Sequence, residues 1–423
     1  MINNPGNWAG NYIYSAAQIH YPETVEQIQE LVSRGQKIKA LGTRHSFNDI
    51  ADSPGELIAL QHLDKILNLD HEQHTVTVEA GVRYGNLARW LHQEGYALHN
   101  LASLPHISVA GACATATHGS GDRHGNLATA VSAMELVTAS GETVVLSRAR
   151  DREQFEGVVV GLGGLGVVTK LTLDISPTFQ MQQDVYENIP LAVLEDHYDS
   201  LTDSIYSVSL FTDWRSSTIN QVWLKRQIPD GISVKAEPEL FGAKLAIAHL
   251  HPIAALSAEN CTEQLGLGGP WFERLPHFRM DFTPSSGEEL QSEYLIPRQH
   301  AFAALRAIDQ LGEHIAPLLL ISEVRTIAAD DLWMSPCYKQ ACVAIHFTWK
   351  QDWESVRRVL PLIEEALASF DARPHWGKLF TTSHARLKSL YEKFSDFQDL
   401  LQRYDPKGRF RNAYLDKHIF GIS

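Results

Sequence analysis

Apolar positions along this chain fall into short runs of two different periods, three-to-four and two, and the runs change character near Pro177. Val25, Ile28, Leu31 and Val32 lie along one helical face; Thr24 and Gln27 are spaced as a capping box, and Gly35 is a stop. Ile38-Lys39-Ala40-Leu41 then alternates as a strand and runs into the polar loop Gly42-Thr43-Arg44-His45-Ser46-Phe47-Asn48. Further strands are predicted at Glu56-Leu57-Ile58-Ala59-Leu60 and from Thr75 to Gly81. A second helix is predicted from about Asn86 to Gly95, with Leu87, Trp90 and Leu91 inward. Ala133 to Thr138 and Glu142 to Leu146 read as a hairpin turning through Ala139-Ser140-Gly141. This first part has an α/β pattern of short units.

Beyond Pro177, Tyr206 to Phe211 and Gln221 to Lys225 read as strands. Pro297 stands where a helix would start, with Phe302, Leu305, Ile308 and Leu311 inward. In Leu320-Ile321-Ser322-Glu323-Val324-Arg325-Thr326 the period of two places Glu323 and Arg325 on one face. In Val343-Ala344-Ile345-His346-Phe347-Thr348-Trp349 it places His346 and Thr348 opposite the apolar residues. Asp352 to Phe370 is helical in pattern, and Pro361 is expected to kink or restart it. A turn at His375-Trp376-Gly377-Lys378 follows. The tail from Asp405 to Leu415 is too apolar to fray and is expected to fold back onto an earlier part of the chain.

With 423 residues the chain exceeds one compact core, so two domains are expected. Its 36 Lys and Arg stand against 50 Asp and Glu, a balance of −14, which offers no footprint for nucleic acid or for an anionic membrane surface. Cys113, Cys261, Cys337 and Cys342 show no CxxC spacing and read as buried thiols. Met1 to Gly6 has neither a basic nor an apolar leader region, and no run of eighteen apolar residues occurs, so a soluble cytoplasmic protein is expected. His71-Glu72-Gln73-His74 lacks the helical four-residue spacing of a zinc site, and no metal is expected.

Three small-residue stretches carry the candidate chemistry. Glycine in the 42–48 loop lets backbone approach a pyrophosphate, with Thr43, His45, Ser46 and Asn48 as compact polar groups and Arg44 as a positive charge. Ser108 to Gly121 is almost wholly Gly, Ala, Ser, Thr, Cys and Val, suited to a flat, phosphate-bearing ligand. Gly161-Leu162-Gly163-Gly164-Leu165-Gly166 looks like a nicotinamide-cofactor motif but precedes a β-rich segment instead of opening a helix. Taken alone, the 42–48 loop reads better as a surface strand-to-helix turn with one solvated histidine, and Ser108 to Gly121 has a small-residue turn packed against another backbone as a serious competitor. Solvent exposure is likewise the ordinary alternative for the Glu323/Arg325 and His346/Thr348 pairs and for Lys378. A carboxylate, a guanidinium, an imidazole and a hydroxyl on two strands would nonetheless suit a polyhydroxylated ligand.

Taken together, Leu41 to Asn48, Ala102 to Gly111, Thr117 to Gly121, Glu323-Val324-Arg325, His346-Phe347-Thr348, His375 to Lys378 and Asp405 to Phe410 give the chain a resemblance. It resembles the vanillyl-alcohol-oxidase-type flavoprotein family and, within it, the alditol oxidases. The resemblance implies an α+β, two-domain fold of VAO/PCMH type. Residues 1–176 would bind FAD, 177–375 would form a substrate domain with an antiparallel sheet and helices, and 376–423 would return to the first domain. It further implies a covalent 8α-histidyl bond from His45 to FAD. Cofactor contacts are implied at Leu41, Gly42, Thr43, Arg44, Ser46, Phe47, Ser103, Ser108, Gly111, Ala112, Cys113, Ala114, His118 and Val168. Polyol binding is implied for Ser103, Glu323, Arg325, Thr348 and Lys378, and a catalytic role for Glu323, Arg325, His346 and Lys378.

The activity implied is oxidation of the terminal alcohol of alditols such as xylitol and sorbitol, with O2 reduced to H2O2, by a monomer whose partners are a small polyol and O2. Alternatives within the family are a sugar-1,4-lactone oxidase and a carrier-linked dehydrogenase. From another class, a non-catalytic flavin- or sugar-binding protein would not require the full set of Glu323, Arg325, His346 and Lys378.

Overall fold

The computed structural model describes residues 6–203, 205–229, 233–281 and 288–422. Most of the N-terminal stretch read above for a leader therefore lies outside the described residues. The architecture is α+β. A three-stranded parallel sheet is ordered Gln18–His20, Glu56–Ala59, Ile38–Leu41. Beside it lies a five-stranded antiparallel sheet, ordered Ile66–Asp70, Thr75–Glu79, Val167–Asp174, Val131–Val137, Thr143–Ser147.

The helix Val25–Arg34 begins as its sequence dictates: the Thr24 side chain accepts from Gln27 N, and Ile28, Leu31 and Val32 are buried. The next helix, Tyr84–Gln93, buries Leu87 and Leu91. Both pack on a core shared with Val76, Val131 and Leu171 of the five-stranded sheet.

A ten-stranded antiparallel sheet dominates the rest of the chain. Its centre runs Gln180–Pro190, Thr218–Ile228, Ser207–Thr212, Leu319–Ile327, Cys342–Lys350, Glu289–Pro297. The helices Leu194–Asp203, Ala301–Asp309 and Trp353–Ala366 cover one face: Leu201, Leu305, Ile308, Val356 and Leu360 share a core with Val222, Val324, Val343, Ile345 and Phe347. Period-two alternation then forces the intervening residues, including Glu323, Arg325, His346 and Thr348, onto the opposite face.

Two local expectations are corrected. Pro297 does not open a helix; it ends the strand Glu289–Pro297, paired with Cys342, and the helix starts at Ala301. Proline is tolerated at such a strand end because few ladder bonds depend on its missing N–H. Of the residues expected inward on that helix, Leu305 and Ile308 are buried and Phe302 and Leu311 only partly so, since the true face also uses Ala301 and Ala304. The helix Trp353–Ala366 runs through Pro361 without restarting; Pro361 lies on the exposed side, where water can satisfy the carbonyl it leaves unpaired.

The tail is bound tightly to the first sheets. Ile38 N donates to Arg409 O at 2.8 Å, and Lys39 Nζ donates to Phe410 O at 3.1 Å. Asn412 Nδ2 donates to the carbonyls of Ile50 and Asp52 at 3.1 and 2.8 Å. Phe397, Leu400, Phe410 and Tyr414 join the same core as Leu87 and Leu171. Trp271, Leu275, Trp333 and Met334, from the middle of the chain, also enter it. No helix among the described residues is long and apolar enough to cross a membrane.

Candidate active site

A cleft runs from the 41–47 loop, past 108–114, to the polar face of the large sheet. Leu41, Gly42, Thr43, Arg44, His45, Ser46, Phe47, Ser103, Ser108, Gly111, Ala112, Ala114 and His118 line it, as do Glu323, Arg325, His346, Thr348 and Lys378. Among the residues named by the sequence, Cys113 and Val168 are not on its wall. Cys113 is buried behind it, 3.5 Å from Tyr84 Oη, and Val168 is part of a strand paired with Leu136. From the glycine-rich 161–166 loop, Leu162 and Gly163 line the cleft instead.

At one end the backbone is bare. A Cβ on Gly42 would stand 2.6 Å from Ser108 Oγ and one on Gly111 2.9 Å from the same atom, so side chains there would fill the cradle. Arg44 has φ of 63°, a left-handed conformation uncommon for a branched-out cationic residue, held by Trp8 N donating to Arg44 O at 2.7 Å. Next to it the His45 ring stacks on Trp8, with centroids 5.3 Å apart and planes 19° from parallel. His45 Nδ1 is buried with no hydrogen-bond partner among the described residues. Burial, helped by His106, pushes the His45 pKa down to about 4, so the ring is neutral.

The other end is an enclosed network of charges. His346 pairs directly with Glu293 on one neighbouring strand and Glu323 on the other, so three titratable side chains stand in a row across the sheet. Glu293 Oε1 lies 2.6 Å from Arg325 Nη2, and its Oε2 lies 2.7 Å from Lys378 Nζ. Lys378 Nζ also donates to His346 Nδ1 at 2.8 Å, which fixes the His346 tautomer: Nε2–H donates to Thr348 Oγ1 at 3.0 Å. Arg325 Nη1 reaches Ser103 Oγ at 3.3 Å. His277 Nε2 donates to Glu323 Oε1 at 2.6 Å. His118 Nδ1 donates to Gly119 O at 2.8 Å and leaves Nε2 facing Glu293 Oε2 at 3.5 Å.

None of these groups is solvated, in contrast to the ordinary alternative: Glu323 and Arg325 are 5% exposed, His346 6% and Thr348 7%. The side chain of Lys378 is 13% exposed, its charge met by Glu293. Burial would raise the Glu293 pKa, but Lys378 and Arg325 overcome it and hold the carboxyl well below the usual range. For Glu323, Arg325 and His277 overcome burial in the same direction. Burial, then Lys378, holds His346 well below its ordinary value, so the imidazole is neutral. Burial lowers the Lys378 pKa, with Glu293 opposing it. The result is two carboxylates held against Arg325 and Lys378, with the neutral His346 ring between them.

Sequence reasoning missed Glu293 and His277. For Glu293 a signal existed: Glu289, Gln291 and Glu293 alternate on one strand face, and all three line the cleft. His277 lies in an irregular segment with no period to read.

An alditol oxidase from Streptomyces sp. is 48% identical over 412 residues, covering 97% of each chain. The chain belongs to the alditol oxidase family. Within this family member, residues 16–147 match an FAD-binding domain model and residues 286–418 a D-arabinono-1,4-lactone oxidase model. An L-gulonolactone oxidase from Scyliorhinus torazame is 28% identical over 439 residues, covering 98% of each chain. The crystal structure of cholesterol oxidase from B. sterolicum shares the fold, with a TM-score of 0.77 at 14% identity over 99% of this chain and 96% of that one. Alditol oxidase family membership makes the protein an FAD-dependent oxidoreductase of the vanillyl-alcohol-oxidase type.

Proposed function

We propose that the protein oxidises the terminal primary alcohol of alditols such as xylitol and sorbitol, RCH2OH + O2 giving RCHO + H2O2, with FAD bonded covalently to His45. The observation that carries this is one cleft joining a backbone cradle at Gly42, Ser108 and Gly111 to a buried wall of Glu323, Arg325, His346, Thr348 and Lys378. The cradle suits FAD: its glycines leave backbone bare, and the neutral His45 ring has a buried nitrogen with no hydrogen-bond partner among the described residues, as a nucleophile toward the flavin needs. Leu41 to Phe47, Ser103, Ser108, Gly111, Ala112, Ala114 and His118 would hold the cofactor. When bound, FAD supplies the hydride-accepting chemistry and the transfer of electrons to oxygen.

The chain's own groups bind and deprotonate the alcohol. Ser103, Glu323, Arg325 and Thr348 offer the donors and acceptors that would orient successive hydroxyls of a polyol and fix C1. Lys378 is the group placed to take the hydroxyl proton. In its neutral form, two N–H bonds serve Glu293 Oε2 and His346 Nδ1, and the remaining lone pair is free for the substrate. His346 is less suited, because its unprotonated Nδ1 is already occupied by Lys378. Taking the proton turns Lys378 into an ammonium facing Glu293, which stabilises the product of that step. Ala102, with only a methyl on the cleft wall, leaves room for oxygen.

Support for alditols over lactones comes from the 48% identity to an alditol oxidase against 28% to the gulonolactone oxidase. A reducing, cytoplasmic setting fits its four buried, unpaired cysteines. The test is the visible spectrum of the purified protein mixed anaerobically with xylitol and then aerated. Bleaching followed by recovery with peroxide is expected; a yellow protein that no alditol bleaches overturns the assignment, and bleaching without recovery removes oxygen as acceptor.

A further inference from the structure

Behind Glu323 lies a chain of buried groups that the reaction above does not use. His277 is 5% exposed and Lys225 fully buried, yet both are polar and both are completely bonded. Lys225 Nζ donates to Leu275 O at 2.6 Å, Pro276 O at 3.0 Å and His277 Nδ1 at 3.0 Å. Three acceptors around one nitrogen match the three donors of an ammonium. His277 Nδ1 is thereby an acceptor, so its proton sits on Nε2 and is donated to Glu323 Oε1. The aromatic rings of Phe211, Trp223 and Phe278 stand against the imidazole, with centroids 5.4, 5.2 and 6.5 Å away, and hold its plane.

The same residue reaches a second part of the cleft. His277 N donates to Ser103 O at 3.1 Å, and Phe278 N to the same oxygen at 3.3 Å. Ser103 and Glu323 are 220 positions apart in sequence and belong to different sheets' surroundings, but both are tied to this short segment.

We infer that His277 is a positioning residue for polyol recognition, fixing Glu323 through Nε2–H and the Ser103 loop through its backbone N–H, with Lys225 selecting the tautomer that makes this possible. This rests on the polyol reading given above. Occupying Oε1 sets the carboxylate rotamer and leaves Oε2, which takes no hydrogen bond from the described residues, to accept from a substrate hydroxyl. Without the Nε2–H donor the carboxylate is free to turn toward Arg325, whose Nε stands 3.6 Å from Oε2 and has no hydrogen-bond partner among the described residues. The charged and titratable groups facing His277 are Lys225, Glu323 and Arg325, and those facing Lys225 further include Cys261 and Arg274.

The experiment compares His277→Gln, His277→Asn and His277→Phe with the wild-type holoenzyme, measuring KM and kcat on xylitol across pH, flavin content and Tm. Gln can bring an amide N–H to the place of Nε2, Asn can serve only the Lys225 side, and Phe fits the aromatic surroundings but donates nothing. Positioning predicts that Gln stays nearest to wild type, while Asn and Phe raise KM by about tenfold or more, as expected for loss of a charge-assisted hydrogen bond, with kcat changing less. A purely packing role predicts the reverse order, with Phe nearest to wild type. An order with Phe at or above Gln, at equal flavin content, overturns the inference and leaves the polyol activity standing. A wild-type enzyme inactive on every alditol overturns the function, and the inference falls with it.

Discussion

Lys378 Nζ lies 2.7 Å from Glu293 Oε2, and the carboxylate side chain of that pair is completely enclosed. Glu293 also holds Arg325 at 2.6 Å, so one buried anion keeps two cations of the proposed polyol wall in place. Replacing it with Gln removes the charge that opposes the burial-induced lowering of the Lys378 pKa. Because neutral Lys378 is the proposed base, the rising limb of kcat/KM against pH moves to lower pH, by about 1–3 units for loss of a charge in contact. Stability falls by about 3–5 kcal/mol, as for a broken buried pair. An unchanged pH profile in Glu293→Gln would remove Lys378 from the role of base.

Lys378→Met keeps much of the side-chain volume and removes the amine. The expected cost is on the order of 3 kcal/mol in transition-state stabilisation, about a hundredfold in kcat/KM on xylitol, with flavin content unchanged. Turnover equal to wild type contradicts the proposal directly.

His45→Ala yields protein whose FAD is released on denaturation. The check is flavin fluorescence of the polypeptide band on a denaturing gel, bright for wild type and dark for the variant. A bright band from the variant places the covalent bond elsewhere.

Burial pushes the pKa of three histidines outside the proposed flavin bond, His124, His277 and His418, down to about 4. Each is depressed below its unfolded value near 6.5, so the unfolded chain binds more protons in the interval between. Their contribution to stability is complete above pH 6.5 and is lost as pH falls toward 4, at up to ~1.4 kcal/mol per unit for each group. Glu293 and Glu323, also depressed, lose theirs only below the ordinary carboxylate range. A scan of Tm from pH 7.5 to 4.5 should therefore decline steeply beginning near 6.5; a flat profile down to pH 5 contradicts this assignment.

Phe410, 1% exposed, anchors the tail in the core of the first sheets. Phe410→Ala should destabilise by about 3–5 kcal/mol, read as a fall in the urea midpoint. A loss below about 1 kcal/mol would mean that the tail is peripheral to that core.

Local chemistry was enough to read much of this chain. The Thr24 cap, the helix face at Ile28, Leu31 and Val32, the hairpin at 131–147 and the shared faces of Glu323/Arg325 and His346/Thr348 all follow from contacts within a few residues. A proline fits a strand end as well as a helix start, so Pro297 alone does not tell the end of the strand Glu289–Pro297 from the start of a helix.

Which of two sheet faces meets solvent is not a local property. Period two says that Glu289, Gln291 and Glu293 share a face, and the three covering helices decide that this face is the cleft. Glu293 becomes the centre of the charge network only because Arg325 and Lys378, 32 and 85 positions away, arrive beside it. His277 has no repeating neighbour at all, and its partners Lys225 and Glu323 lie 52 and 46 positions off. The sequence alone determined the elements, the small-residue cradle and the candidate polar pairs, because backbone geometry and side-chain period act over a few residues. Tertiary structure alone decided the enclosure, the direction of the pKa shifts and the placement of Glu293 and His277, because burial and Coulomb interactions depend on groups brought together from distant parts of the chain.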